Sequence, residues 1–305
     1  MQFSAAAKMA QGRAALLVFI GGASYGANAT CYKLAYASGF SWAQMVAAQV
    51  WFAFFLFAFA VIVGVARGKG WVRLGVKNVG RLVALGVLTS LTSVFYCYAM
   101  SVLPVPLALT LLFQFTWVGT VIQVIMTRKP PSAMQVLAAV IVLIGTVFAS
   151  GLYAADLQQF SPLGIAAGLL SAVSCALFVA LSGKVQVPCS DSQRGLFVCL
   201  GAFAASWVIC PDFAASGALL NGIAPMGFVA GFFGFLLPVL LFGMAMPHLP
   251  AGVGTVLAAA ELPAGLMVAM LVLGTPVEAL QWVGVVLILS GVVVSQPRSR
   301  KGDES

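Results

Sequence analysis

The chain has 305 residues, of which 62% are hydrophobic and 7% are charged. A soluble domain carries about 25% charged residues. The few charged side chains of this chain could not cover the surface of a soluble protein. The composition therefore excludes a soluble protein and makes the lipid bilayer the expected surroundings. The net charge of +8 does not indicate nucleic-acid binding, because the basic residues lie in short loops between apolar runs.

Ten segments are long and apolar enough to be transmembrane helices, each of which needs about 20 such residues. In chain order they are Ala14–Ala37, Ser41–Val65, Arg81–Ser101, Pro104–Met126, Ala133–Tyr153, Pro162–Lys184, Ser192–Pro211, Ile223–Met246, Pro250–Val272 and Val277–Ser295. The first segment is too long for the apolar core of a cleaved signal peptide, which has about 7–15 residues. Residues 296–305 are predicted to form a short cytoplasmic tail.

The basic residues are distributed unevenly between the two sides of the predicted membrane. If the N-terminus lies inside, 14 of the 15 Lys and Arg residues fall in cytoplasmic segments, and Lys33 is the exception. The acids Asp156, Asp212 and Glu278 then fall outside. The positive-inside rule thus predicts a multi-pass protein of a bacterial-type plasma membrane with both termini in the cytoplasm.

The sequence also matches itself at an offset of 146 residues. The aligned pairs include Tyr98–Pro104 with Met244–Pro250, Pro130 with Pro276, Gln135 with Gln281 and Gly145 with Gly291. Matches in register over several helices indicate an internal repeat. Each copy contains five helices, an odd number, so the second copy must cross the membrane in the opposite sense. The predicted fold is all-α, with ten transmembrane helices in two inverted five-helix repeats, residues 14–153 and 162–295.

Several short motifs resemble the EamA-type branch of the drug/metabolite transporter superfamily, over nearly the whole chain. They are the run GASYGAN (Gly22–Asn28), Lys33, the turns Leu103–Pro104 and Leu249–Pro250, and the run AAAELPAG (Ala258–Gly265). Tyr25 replaces the usual Trp, and Trp117 stands where the first half often has Pro. The resemblance implies two repeats of five helices, a central cavity, and export or exchange of amino acids and other metabolites.

Glu261 is the one acid that the predicted spans place deep in the membrane. It follows Pro250 by 11 residues, which is about 16 Å of helix in an apolar core about 30 Å thick. Ionisable groups at this depth are costly and usually functional. We expect either a proton-titrating or cation-binding site, or a structural Glu that is protonated or paired.

A second group of polar and aromatic side chains is predicted near mid-depth. They are Tyr25 and Asn28 on the first helix, Gln49 on the second, Tyr96 on the third, Gln114 and Trp117 on the fourth and Ser174 on the sixth. Buried amides need hydrogen-bond partners, so each either holds helices together or binds substrate. As a set they predict a substrate site, because the resemblance implies that these helices line the cavity. Lys33 either snorkels to the membrane surface, or it forms an outer gate or attracts a carboxylate.

The function predicted from these features is secondary transport, with export of small organic metabolites such as amino acids by alternating access. An importer or exchanger of a sugar or nucleobase-type metabolite remains an alternative, since alternating access is reversible. A membrane-embedded enzyme or a receptor is a remote alternative, because the sequence has no HExxH motif and no phosphate-binding loop. We expect no catalytic residue, metal or cofactor, and a monomer or dimer.

Overall fold

The computed structural model describes residues 2–68, 70–154, 161–274 and 276–295, and within them the chain forms helices and no β-strand. The α-helices are α1 (Gln2–Ser24), α2 (Gly26–Ala37), α3 (Trp42–Ala66), α4 (Val76–Val102), α5 (Val105–Leu112), α6 (Phe115–Thr127), α7 (Ala133–Ser150), α8 (Pro162–Lys184), α9 (Asp191–Ile209), α10 (Ala224–Gly231), α11 (Leu237–Ala245), α12 (Ala251–Ala258), α13 (Glu261–Leu273) and α14 (Ala279–Ser295). Leu152–Ala154 and Met246–His248 form 3₁₀ turns, and Leu219–Ile223 and Phe232–Leu236 form π-helical turns. The predicted tail from Gln296 lies outside the described residues.

The described part of the chain contains nine helical stretches that are long and apolar enough to cross a membrane. Some of these stretches join two α-helices across a short break, as in Val105–Thr127. The tenth predicted span corresponds to α14, an apolar helix of 17 residues. The chain is therefore an all-α, multi-pass membrane protein, as its composition indicates.

The third and tenth spans begin at other residues than predicted. α4 begins at Val76 rather than at Arg81, because Lys77 and Asn78 form a polar first turn that an apolar search does not include. α14 begins at Ala279, two residues later than predicted. The backbone N–H of the preceding residue, Glu278, donates to Gln281 Oε1. Both differences arise at a helix end, where polar capping groups rather than hydrophobicity fix the boundary.

Two of the predicted spans are interrupted at matching positions. The fourth span breaks at Phe113–Gln114, between α5 and α6, and the ninth breaks at Ala259–Ala260, between α12 and α13. The bounds of the two helix pairs coincide at the 146-residue offset. Each pair also ends in a left-handed residue, Arg128 with φ 55° and Gly274 with φ 63°.

The two breaks have different chemical causes. In the ninth span Pro263 has no N–H, so the carbonyl of Ala259 loses its helical partner. The fourth span has no proline near its break, and there the side chain of Gln114 bonds a carbonyl that the break frees. Its backbone N–H bonds the carbonyl of Leu111 at 3.2 Å, while its side-chain Nε2 donates to the freed carbonyl of Thr110 at 3.0 Å.

The first span also breaks, at Tyr25. It crosses the ninth span at Gly22 and Gly26. A Cβ added to Gly22 would lie 2.7 Å from the Cα of Ala258, and one added to Gly26 would lie 2.5 Å from the backbone N of Gly265. The absence of a side chain at both glycines lets the two backbones touch. This contact brings the break at Tyr25 beside the first residue of α13, Glu261.

Candidate functional site

A small cavity of about 40 Å³ lies beside this crossing, and we call it the tyrosine cavity. Four of the predicted site residues line it, namely Tyr25, Asn28, Tyr96 and Glu261. The other lining residues are Tyr32, Thr89, Thr92, Ser93, Leu112, Cys175 and Phe178. A cavity needs about 10–15 Å³ by this measure to hold one water molecule, so the tyrosine cavity has room for about three waters or one small head group.

The charge of the tyrosine cavity comes from Glu261. Among the described residues that line it there is no Lys, Arg or His. The surroundings of the Glu261 carboxyl supply neither a hydrogen bond nor an opposite charge from the part of the chain that the structure describes. A buried carboxylate without a partner is costly, so the carboxyl is suited to bind a proton or a cation.

Two polar atoms of the lining side chains lack partners as well. Asn28 Oδ1 and Tyr96 Oη are buried and make no hydrogen bond within the described residues. Asn28 packs directly on Gly234, where any added side chain would collide with its amide. An unsatisfied buried polar atom costs about 1–3 kcal/mol. The wall of the tyrosine cavity therefore contains two side chains whose polar atoms are unsatisfied.

Gln49 lies behind the cavity wall rather than in it. The Tyr32 hydroxyl donates to Gln49 Oε1 at 2.8 Å, and Gln49 Nε2 donates to the carbonyl of Gly234 at 3.1 Å. Gly234 lies in the π-helical turn Phe232–Leu236, and Pro238, four residues later, has no N–H to donate to its carbonyl. Gln49 thus uses its whole amide to link α2 and α3 to this turn, and it fixes the ring of Tyr32 in the cavity wall.

A larger cavity of about 230 Å³ adjoins Glu261, and we call it the Lys33 cavity. It extends from Glu261 to the exposed side chain of Lys33, and most of its wall is apolar. The apolar wall residues include Ala29, Val105, Leu109, Leu262 and Leu266. Glu261 lines both cavities and therefore lies at their junction.

On the other side of Glu261, along the same two spans, α6 and α12 close against each other. Thr255 Oγ1 donates to the carbonyl of Thr116 at 3.3 Å, and the backbone N–H of Gly252 donates to Gln123 Oε1 at 2.7 Å. A Cβ added to Gly119 would overlap the Thr255 side chain. We call these interactions the α6–α12 contact.

The residues at the 146-residue offset from the α6–α12 contact are not in contact but line the Lys33 cavity. Thr116, Gly119 and Gln123 correspond to Leu262, Gly265 and Ala269, and Gly252 and Thr255 correspond to Pro106 and Leu109. All five counterparts line the Lys33 cavity. One pair of half-helices is therefore closed, while the corresponding pair is separated by an open space.

Besides Gln49, three predicted site residues lie outside the lining of both cavities. Gln114 Oε1 accepts a bond from Trp117 Nε1 at 2.8 Å, and the Trp117 ring is 44% exposed on the helix surface. Ser174 is buried and donates to the carbonyl of Leu170 in its own helix. Its neighbour Cys175 lines the tyrosine cavity instead. The sequence gives no signal for Cys175, because a cysteine in an apolar run usually acts as a small apolar residue.

No family model matches the sequence, and no curated protein matches it either. One solved crystal structure of a protein is similar to the chain with a TM-score of 0.72 and 17% sequence identity. The similarity covers 93% of this chain and 96% of that protein's chain. At this identity the similarity shows a shared fold over nearly the whole length of both chains.

Proposed function

We propose that the protein is a secondary transporter of the EamA-type drug/metabolite transporter kind, which exports a small organic metabolite across the plasma membrane by alternating access. The observation that carries the proposal is the position of Glu261. It lies at the junction of a polar cavity and a larger open cavity, while the corresponding half-helices on its other side are closed. Export of amino acids or related metabolites is the activity that the sequence resemblance favours.

The proposed architecture is two inverted five-helix halves, and the packing of α7 on α14 supports it. A Cβ on Gly145 would lie 2.9 Å from both the Gly284 carbonyl oxygen and the Ile288 side chain, and one on Gly291 would lie 2.6 Å from the Val142 side chain and 3.1 Å from the Ala138 carbonyl oxygen. Residues 138, 142 and 145 become 284, 288 and 291 at the 146-residue offset. Each helix thus contacts the other through the same positions, as related elements do about a two-fold axis.

Alternating access then follows from exchanging the conformations of the two halves. In the proposed topology the Lys33 cavity faces outwards, because Lys33 and Val105 lie at the outer ends of their helices, and the α6–α12 contact faces the cytoplasm. The structure would represent an outward-open state. In the inward-open state α13 would close on α5, and α6 would separate from α12, around a site at mid-membrane.

We assign proton coupling to Glu261. The titratable groups that face it are the hydroxyls of Tyr25 and Tyr96 and the thiol of Cys175. Phenols and thiols ordinarily titrate above about pH 8, so the carboxyl is the group suited to exchange a proton in the neutral range. A proton that crosses the whole membrane potential supplies about 2.3 kcal/mol per 100 mV, which is enough to bias export.

Transport by purified protein in liposomes tests the proposal. A panel of amino acids, amines, sugars and nucleobases would be assayed for flux in both directions, with and without a pH gradient. We expect gradient-dependent accumulation of at least one solute, and we expect Glu261→Gln to abolish its dependence on pH while keeping part of the exchange activity. The control is Asp212→Asn, which removes an exposed loop carboxylate and should behave as wild type. Absence of flux for every solute would refute the proposal, and an unchanged pH profile of Glu261→Gln would refute the coupling role.

A further inference from the structure

We infer that the tyrosine cavity binds the head group of an organic ammonium compound, a primary amine with an apolar body that extends into the Lys33 cavity. The inference rests on the proposed transport function, and it names a substrate class other than the amino acids that the sequence resemblance favours. It follows from the charge, the aromatic wall, the unpartnered polar atoms and the sizes of the two adjoining cavities.

Charge gives the first argument. Glu261 supplies the one formal charge among the described lining residues of the tyrosine cavity. An anionic ligand would lie next to a carboxylate that has no cation beside it. Like charges that are shielded from water repel each other strongly. An ammonium group supplies the counter-ion that the buried carboxylate lacks.

The aromatic wall of the tyrosine cavity gives the second argument. The rings of Tyr25, Tyr32, Tyr96 and Phe178 line it on several sides, and the Tyr32 and Tyr96 rings meet edge to face with centroids 6.2 Å apart. Aromatic rings attract a desolvated cation that lies over their faces. Several rings around a single carboxylate form an environment that stabilises an ammonium group better than a neutral hydroxyl.

The unpartnered atoms give the third argument. Asn28 Oδ1 is an acceptor and Tyr96 Oη can accept, and both are buried without a partner in the described residues. A primary ammonium group carries three N–H donors. The Glu261 carboxylate, the Asn28 amide and the Tyr96 hydroxyl together provide three acceptors for these donors.

Size and charge separate a simple amine from an amino acid. The tyrosine cavity, about 40 Å³, fits a head group, and the Lys33 cavity, about 230 Å³, fits an apolar body. In an α-amino acid one carbon separates the carboxylate from the ammonium group. The carboxylate would therefore stay beside Glu261, in a cavity whose described lining residues include no basic side chain.

The test compares four ligands that share a phenyl ring and differ in the head group. Phenethylamine is the cation, 2-phenylethanol the neutral analogue, 3-phenylpropionate the anion and phenylalanine the zwitterion. Binding to the purified full-length protein in detergent would be measured by calorimetry at neutral pH. We expect phenethylamine to bind at least tenfold more tightly than the other three. Glu261→Gln should weaken that binding at least tenfold, Tyr96→Phe about threefold, and Asp212→Asn not at all.

Several results would overturn the inference. The first is that 3-phenylpropionate or phenylalanine binds as tightly as phenethylamine. The second is that none of the four ligands binds to the wild type. The third is that Glu261→Gln binds phenethylamine as tightly as the wild type does. If Glu261→Gln does not fold, the ligand series on the wild type and the Tyr96→Phe variant decide. Liposome flux of a carboxylate solute with no affinity for amines would refute the substrate class and leave transport standing. Tight amine binding without any flux would refute transport and leave the substrate class standing.

Discussion

The hydrogen bond between Tyr32 and Gln49 should stabilise the fold by a measurable amount, because both groups are buried. Gln49→Leu removes two hydrogen bonds, of 2.8 Å to the Tyr32 hydroxyl and 3.1 Å to the Gly234 carbonyl. Side-chain hydrogen bonds in membrane proteins contribute about 0.6 kcal/mol on average and about 1.7 kcal/mol at most. The two lost bonds predict a decrease in the free energy of unfolding of about 1–3 kcal/mol for Gln49→Leu.

A double-mutant cycle isolates the shared bond. Tyr32→Phe alone removes one hydrogen bond and should cost about 0.6–1.7 kcal/mol. The combined variant loses that bond once rather than twice, so its total cost should be smaller than the sum of the single costs by about the same amount. The assay is reversible unfolding in mixed micelles with increasing fractions of a denaturing detergent.

Gln186→Leu is the matched control, since Gln186 is exposed in the loop after α8 and its change should leave stability near the wild-type value. Strictly additive costs for Tyr32→Phe and Gln49→Leu would show that the two side chains do not interact. The account of Gln49 as the support of the tyrosine cavity wall would then be wrong.

Three further predictions concern the surface, the helix crossing and the topology. The Tyr153 hydroxyl donates to Glu278 Oε2 at 2.7 Å, and this bond raises the pKa of Tyr153. The hydrogen bond should therefore stabilise the fold below about pH 10, and this contribution should be lost as the pH rises through the raised pKa of Tyr153. An ultraviolet titration of Glu278→Gln should show Tyr153 ionising at a lower pH than in the wild type. Gly26→Leu should abolish transport, because its backbone touches α13, whereas Gly12→Leu has open space around it and should retain transport in the liposome assay. Lys129→Cys in a cysteine-free protein should react with an impermeant maleimide in inverted vesicles and not in intact cells, and the reverse pattern would overturn the topology.

Helical spacing and depth in the sequence were enough to bring Tyr25, Asn28, Tyr96 and Glu261 together. Each of these residues lies on an apolar span, and its depth follows from the number of residues to the end of the helix. The glycines of the first span allow the ninth span to lie against it. Glycines four residues apart, such as Gly22 and Gly26, are typical of close helix packing, and these two contact the backbones of α12 and α13, respectively. The all-α membrane class is confirmed as well, since the described residues form nine helical stretches that are long and apolar enough to cross a membrane.

The roles of Gln49 and Gln114 could not be predicted, because the sequence does not indicate which groups they bond. A buried amide either binds a ligand or joins helices, and both choices satisfy the same rule on buried polar groups. The partner of Gln49 is the carbonyl of Gly234, 185 residues away, in a π-helical turn. Gln114 bonds the carbonyl that its own helix break releases. The break in the fourth span was not predicted, because the usual signal of such a break is a proline.

The most direct test of alternating access measures two distances in one protein. Spin labels would be placed on Thr127 and His248, which the proposed topology puts at cytoplasmic helix ends. In a second sample they would be placed on Leu273 and Val102, the counterparts at the 146-residue offset. Electron paramagnetic resonance would give both distances in lipid, with and without the solute that the uptake panel identifies. The account predicts that the solute lengthens the Thr127–His248 distance and shortens the Leu273–Val102 distance. Two unchanged distances, or two that change in the same direction, would contradict it.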